Sequence, residues 1–161
     1  MKFTKRSGQK SESVGGNYLK LTDGLSVNGV MRGEIFEFYQ IWPFGGERQV
    51  FDSPTPGAAS RFKANIVIHE NGKFISKIWE FGLPVYTQLG DINEVYPLDK
   101  TKIQITRRGA GKSTQYMILP LLNEQLSPKT LSQIESVELH PLALNVRAPV
   151  QVEERYDELG F

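Results

Sequence analysis

The chain contains no cysteine and only two histidines, His69 and His140, which lie far apart in the sequence. Without cysteine it has no disulfide, no cysteine zinc module and no thiol nucleophile, so we expect a reducing, cytoplasmic setting. It also lacks any run of about 18 apolar residues, so we expect no membrane span. The basic N-terminal residues are not followed by an apolar segment, so we expect no secretory signal.

A strong overall charge is also missing, because 19 basic and 18 acidic residues leave a formal net charge of +1. The charge is unevenly distributed. Residues 151–161 contain one basic and four acidic residues, a net charge of −3. Residues 1–150 contain 18 basic and 14 acidic residues, a net charge of +4. A basic body with an acidic tail permits the body to bind an anionic partner.

No catalytic motif is recognisable in the sequence. Gly111, Lys112 and Ser113 match the end of a P-loop, but the first glycine of that motif would have to stand at position 106, which is Thr106. The segment also lies between two strand patterns, whereas a P-loop precedes a helix. We therefore expect no enzyme activity, no cofactor and no metal.

Turn signals and hydrophobic periodicity predict a mainly β domain. Strands are predicted at 18–21, 26–32, 34–44, 61–70, 73–80, 101–108 and 114–121. The clearest hairpin has Asn71 and Gly72 as its turn, because both turn positions need positive φ. A helix is predicted to begin near Val85 and to end before Pro97. A second helix is predicted over 127–137, with Ser127 as its N-cap.

Several short strands with one helix between the third and fourth are typical of an OB-fold. We therefore predict a five-stranded OB-fold barrel over residues 17–140, with a short C-terminal helix. Residues 1–16 are predicted to form a flexible basic arm, and residues 141–161 an extended linker with an acidic tail. An SH3-like barrel or an unrelated α+β sheet fits the same pattern nearly as well.

Aromatic and basic residues alternate through the predicted strands, an arrangement that suits single-stranded nucleic acid, where cations neutralise phosphates and rings stack on bases. Strand alternation places Arg61, Lys63 and Asn65 on one face, and assigns to the core face Phe62, Ala64, Ile66 and Ile68. Phe36, Phe38 and Phe74 are also assigned to the core. The predicted interface consists of five aromatic and seven basic residues: Tyr39, Trp42, Phe44, Trp79, Tyr116, Arg48, Arg61, Lys63, Lys77, Arg107, Arg108 and Lys112.

The last nine residues hold four carboxylates and end on an aromatic side chain beside the chain's own α-carboxylate. Because unpaired charge is costly to bury, this tail is expected to lie outside the core. It is either a solvated, frayed terminus or a segment that a partner protein grips. The residues assigned to a partner-binding tail are Glu153, Glu154, Asp157, Glu158 and Phe161.

Three regions resemble phage-encoded single-stranded DNA-binding proteins of the OB-fold type. They are residues 29–33 with 39–42, residues 61–65 with 77–80 and the helix at 85–89, and residues 105–109 with 116–121, within residues 18–122. The acidic tail that ends in Phe161 is similar to the tails with which bacterial and phage proteins of this function recruit partners. Some phage relatives carry a cysteine zinc module near the region equivalent to residues 45–60, and this chain has no cysteine there.

The resemblance implies binding of single-stranded DNA without strong sequence preference, in replication, recombination or repair, in the host cytoplasm if the protein is phage-encoded. It implies that the tail recruits replication or recombination proteins and competes with DNA. The oligomeric state stays open, including a homo-oligomer, as does contact between the basic arm and DNA. Two alternatives also stay open: a β-barrel protein-interaction module that binds no nucleic acid, and an RNA-binding OB-fold module.

Overall fold

The computed structural model describes residues 16–143, so residues 1–15 of the predicted arm and the predicted acidic tail lie outside the described residues. The described chain forms six strands and two helices. They are β1 (Ser26–Ile41), β2 (Gln49–Phe51), β3 (Ala59–Glu70), β4 (Lys73–Phe81), α1 (Leu83–Val95), β5 (Ile103–Arg108), β6 (Gln115–Pro120) and α2 (Pro128–Glu135). Neither helix in this part of the chain is long and apolar enough to cross a bilayer.

The six strands form one antiparallel sheet in the order β4-β3-β1-β5-β6, with β2 paired to the end of β1. This architecture confirms the predicted mainly β class. The sheet has six strands rather than five, because residues 49–51, which no pattern marked, pair with residues 39–41. Its hydrogen-bonded path is open, with β4 and β6 at the two ends.

β1 joins two segments that the sequence predicted as separate strands. Gly33, expected to divide them, has φ of +77° and lies where the pairing with β3 shifts register, between Arg32 and Phe36. Such an irregularity bends a strand without ending it, and glycine adopts the positive φ at little cost. The strand therefore continues through the glycine for 16 residues.

The hairpin of β3 and β4 confirms the predicted turn, since φ is +53° at Asn71 and +82° at Gly72. Its pairing runs without a shift from Glu70 opposite Lys73 to Phe62 opposite Phe81. Directly paired residues share a face of the sheet. The inner face carries Phe62, Ala64, Ile66, Ile68, Trp79 and Phe81, and the outer face carries Lys63, Asn65, Val67, Ser76 and Glu80.

The inner face forms the main core, in which the predicted core residues of β3 are all buried. α1 covers this face with the buried Val85 and Leu89, and it ends before Pro97 as predicted. The second predicted hairpin, β5 with β6, adds Ile103, Ile105 and Ile118 to the same core.

Side chains bring β4 and β6 together although the two strands share no backbone hydrogen bonds. The ring of Trp79 in β4 meets the ring of Tyr116 in β6 edge-on, with centroids 5.8 Å apart. Gln88 Nε2 of α1 donates to the carbonyl oxygen of Tyr116 at 3.1 Å. α1 and these rings therefore occupy the space between the two ends of the sheet.

α2 packs on the outer face, against β1 and β3. The hydroxyl of Ser127 accepts from the backbone N–H of Thr130 at 3.1 Å, which confirms the predicted N-cap. Ile134 is buried against Val30 and Val67. At the other end of the helix, Arg32 Nη1 donates to the carbonyl oxygen of Ile134 at 3.0 Å, where a cation is favourable. The helix and the chain after it cover one half of the outer face.

Candidate nucleic-acid interface

On the other half of the outer face, basic side chains gather around a single carboxylate. Arg48 makes a two-point contact with Glu80, with Nη1–Oε1 and Nη2–Oε2 distances of 3.0 and 3.4 Å. The guanidinium carbon of Arg48 and Nζ of Lys63 each lie 5.5 Å from the centroid of the Phe38 ring. Arg61 pairs with Phe38 across β1 and β3. We call Arg48, Arg61, Lys63 and Glu80 the cationic cluster.

Arg61 carries an unsatisfied donor within the cationic cluster. Its Nε is buried and has no hydrogen-bond partner among the described residues. Burial lowers the pKa of Arg61, the charge of Glu80 opposes that effect, and the charge of Arg48 adds to it. Arginine nevertheless stays protonated in proteins. The cationic cluster therefore holds a partly dehydrated positive charge and an unused donor, both of which an anion would satisfy.

Lys63 is buried, with 6% of its surface exposed. Its Nζ lies near two rings, 5.8 Å from the centroid of Phe36 as well as 5.5 Å from that of Phe38. Cation–π contacts contribute about 0.5–2 kcal/mol, which is less than the several kcal/mol that dehydrating an ammonium costs. Glu80 on β4 pairs directly with Lys63 on β3 and adds negative charge beside this lysine.

Two predicted stacking residues stand in solvent between β1 and β2. The side chain of Trp42 is 65% exposed, and Phe44 is fully exposed at 107%. They flank Pro43, whose carbonyl accepts from the N–H of Gly46 at 2.9 Å and closes a turn. Exposing two large rings forgoes burial that is worth about 1.5–3 kcal/mol for each ring. Two exposed aromatic side chains in one short loop are therefore candidates for a binding surface.

Tyr39 lies on the same strand as Phe38 but points to the opposite face. Its hydroxyl interacts with Glu37, which also accepts from the hydroxyl of Ser60 at 2.5 Å. Partial burial and the negative charge of Glu37 raise the pKa of Tyr39. The structure does not bring Tyr39 into the cationic cluster.

The three predicted cations near the tip of the β5–β6 hairpin differ in whether the fold already uses their donors. Arg107 is committed within the fold, because its guanidinium donates to the carbonyl of Leu21, to the hydroxyl of Thr114 and to the carbonyl of Gly109. Arg108 and Lys112 are exposed. A phosphate contact is therefore open to the last two, whereas the arrangement of Arg107 is structural.

Three other residues of the predicted interface lie on the inner face of the sheet. Trp79 is 2% exposed and belongs to the core, so neither face of its ring is available to a base. Tyr116 is half-buried against it and packs on the same core. Lys77 shares the inner-face register with Ile66, and its Nζ donates to the carbonyl of Gly16. The structure therefore places these three residues on the inner face, apart from the cationic cluster.

The charge of the described domain differs from that of the whole body. Residues 16–143 contain 13 basic and 13 acidic residues, a net charge of zero. Residues 1–15 contain four basic residues and one acidic residue. The surplus that the sequence assigned to a basic body therefore lies mainly in the N-terminal arm. Within the described domain, positive potential arises locally, where cations outnumber carboxylates.

Sequence reasoning missed Glu80 as a member of this site and assigned Phe38 to the core alone. Phe38 is buried as expected, with 0% exposure, and the cations of Arg48 and Lys63 lie over its ring. A signal for Glu80 was present, because counting outward from the Asn71–Gly72 turn pairs it with Lys63.

Among residues 16–143, no group of three or more His, Asp or Glu side chains is placed to hold a metal ion. The tail residues assigned to a protein partner lie outside the described part of the chain. A scan against protein-family models found no match, and neither did a search of curated proteins nor a search of solved structures.

Proposed function

We propose that this protein binds single-stranded DNA through the cationic cluster and the exposed rings of Trp42 and Phe44. The observation that carries the proposal is the partly dehydrated positive charge of the cationic cluster, with a buried, unpartnered Nε on Arg61. Phosphates supply the missing negative charge, and bases stack on the two exposed rings. This combination holds single strands without selecting a sequence, because every base offers a π-face.

The strand order supports an OB-fold as the frame of this site. Without the short β2, the remaining five strands carry one helix between the third and the fourth, and the sheet is open between the third and the fifth. OB-folds are partly open five-stranded barrels that bind oligonucleotides on the face of strands 2 and 3 and with the loops 1–2 and 4–5. Those positions correspond here to β3 with β4, to residues 42–58 and to residues 109–114.

The distribution of candidate residues agrees with that frame. Arg61 and Lys63 lie on β3, Trp42 and Arg48 lie in the first of the two loops, and Lys112 lies in the other. One path along the outer face therefore passes both basic side chains and the exposed ring of Trp42. We propose that DNA follows this path.

The decisive experiment is a titration of labelled oligo-dT followed by fluorescence anisotropy. Trp42→Ala should weaken binding by about 5- to 150-fold, since each stacked base contributes about 1–3 kcal/mol. The control is Leu122→Ala, which removes an apolar side chain that is also exposed but lies outside the proposed interface. If the unaltered protein does not bind oligo-dT at low salt, the proposed function is lost.

A protein-interaction module is the second candidate, favoured by the zero net charge of residues 16–143 and by the two exposed rings. Under that alternative, neither the full-length protein nor a variant that lacks residues 153–161 binds oligo-dT. An RNA-binding module shares the path but prefers oligo-U over matched oligo-dT, because contacts to the 2′-hydroxyl discriminate RNA.

We propose that residues 153–161 recruit a replication or recombination protein and compete with DNA for the cationic cluster. The support is their composition, four carboxylates beside a terminal phenylalanine, and their resemblance to such tails. Deleting them should tighten binding to oligo-dT and abolish capture of the partner. Unchanged DNA affinity after the deletion would contradict the competition.

A further inference from the structure

A cleft of about 260 Å³ lies on the outer face beside the cationic cluster. Its floor is the irregular part of β1, residues 33–36, and its opposite wall is the chain that follows α2. Leu139, His140 and Leu142 form that wall. These three side chains are partly exposed, and Leu139 also packs against the buried residues Val30, Val67 and Ile134.

The wall after α2 is held in place by a buried amide. Asn65 Nδ2 donates to the carbonyl of His140 at 3.0 Å, and Asn65 Oδ1 accepts from the N–H of His140 at 2.9 Å. The same oxygen accepts from the hydroxyl of Ser76 at 2.8 Å. An imidazole nitrogen of His140 also lies 2.9 Å from the carbonyl oxygen of Ser76. The cleft is therefore a built feature with a fixed wall.

The size of the cleft limits what it can hold. Drug-sized ligands and cofactors occupy pockets of about 300–1,000 Å³, whereas a cavity of about 150 Å³ admits a single benzene ring. The cleft lies between these limits, and its volume matches a ligand of one or two fused rings.

Phe36 gives the cleft an aromatic wall. Its half-exposed side chain lines the cleft, and its ring also lies 5.8 Å from Nζ of Lys63. An aromatic wall beside a buried cation suits a planar base joined to a phosphate. We propose that the cleft takes one nucleobase of the bound strand against Phe36, with an adjoining phosphate in the field of Lys63.

The oxygen of Asn65 gives the cleft little power to select a base. Both acceptor positions of Asn65 Oδ1 are occupied, by Ser76 and by His140. We therefore expect shape and stacking against Phe36 to hold the base, beside the carboxylate of Glu34, which also lines the cleft. This inference rests on the proposed function and adds to it a separate, sequence-tolerant seat for one base.

The test uses a set of short dT oligomers, each with 2-aminopurine at one position, and measures quenching by acrylamide together with affinity. In the unaltered protein, the emission of a seated 2-aminopurine is protected from acrylamide. Leu142→Trp fills the cleft and should remove that protection and weaken binding by about 5- to 150-fold, the range for one stacked base. Gln133→Trp is the matched control, since it places the same ring in a separate cleft next to Ser136.

A second variant, Phe36→Leu, removes the stacking face while keeping an apolar side chain, and should have the same two effects. Melting curves establish that each variant is folded. If folded Leu142→Trp and Phe36→Leu retain both the affinity and the protection of the unaltered protein, the seat does not exist, although DNA binding stands. If the unaltered protein binds none of the oligomers, the proposed function itself fails and the seat with it.

Discussion

At the scale of single residues, Glu80 determines how much positive charge the cationic cluster presents. Its side chain is 17% exposed, and its Oε1 lies 3.0 Å from Nη1 of Arg48. Glu80 on β4 also pairs directly with Lys63 on β3. Charge-assisted hydrogen bonds to a carboxylate use the same donors that a phosphate would use. We therefore expect Glu80 to stabilise the free protein and to compete with the phosphates of the proposed ligand.

We expect Glu80→Gln to tighten binding of oligo-dT by about fivefold at low salt, because one competing hydrogen bond to a charge is worth about 1 kcal/mol or more. The same change should lower the free energy of unfolding by about 1–2 kcal/mol, a modest loss because the partner Arg48 is one-third exposed. Anisotropy titrations and urea unfolding measure the two effects.

The matched control is Glu124→Gln, which removes another carboxylate paired at 3.0 Å, with Lys102. Glu124 is 49% exposed, so we expect a change in unfolding free energy within about 0.5 kcal/mol and no change in DNA affinity. Weaker binding in Glu80→Gln would show that Glu80 orients the cations instead of competing for them.

Tyr39 gives a prediction for alkaline pH. Partial burial and Glu37 raise its pKa in the folded protein, so the folded state retains the phenol proton more strongly than the unfolded state does. Its contribution to stability is complete below the unfolded pKa of about 10 and is lost as the pH rises through the folded value. Absorbance at 295 nm should show a tyrosine that ionises above pH 10 and is missing in Tyr39→Phe. A tyrosine titration that is identical in the variant would contradict the raised pKa.

At the scale of elements, the turn of the β3–β4 hairpin determines which side chains of the two strands are paired. Its turn fixes the register, and the register pairs Trp79 with Ala64 and Glu80 with Lys63. Ala64 was assigned to the core, so the burial of Trp79 followed from the same turn. The basic neighbours of Trp79 favour a stacking role, whereas its partner across the hairpin places it in the core.

Two glycines provide a test of how local conformation stabilises these elements. Gly90 lies inside α1 with open space around its Cα, so Gly90→Ala should raise the unfolding free energy by about 0.5–1 kcal/mol. Gly72 also has open space, but its φ is +82°, so Gly72→Ala should lower the unfolding free energy by about 1–2 kcal/mol. Urea unfolding compares the pair. A loss of stability in both variants would contradict the conformational argument for Gly90.

Other elements were beyond a local interpretation of the sequence. The N-cap of α2 was predictable from Ser127 and Pro128, but the face that α2 covers depends on contacts with Arg32 and Val67, more than 60 residues away in the chain. The bulge beside Gly33 depends in the same way on pairing with β3. Local patterns therefore predicted that these elements exist and did not predict where they pack.

At the scale of the whole molecule, the net charge of zero over residues 16–143 makes the salt response informative. Without a general excess of cations, counterion release comes from the few phosphates that the site neutralises. The three cations of the cationic cluster should contribute about −2 to the slope of log affinity against log salt, at about −0.7 for each phosphate on a single strand.

Arg48→Gln should reduce the magnitude of that slope by about 0.7, whereas Lys129→Gln, an exposed cation at the start of α2, should leave it unchanged. Anisotropy titrations over a range of salt concentrations measure the slope of each variant. Equal slopes for the unaltered protein and Arg48→Gln would remove Arg48 from the contacts with phosphate.

The placement of α2 has a consequence for how much of a strand one molecule can cover. The helix and the chain after it occupy one half of the outer face, so the proposed path is confined to the other half and its two loops. For the proposed OB-fold we then expect a footprint near the short end of the about 4–16 nucleotides that one such fold covers. Coating a long strand would consequently require many copies, in proportion to its length, and supply of the protein would set how much strand can be protected at once.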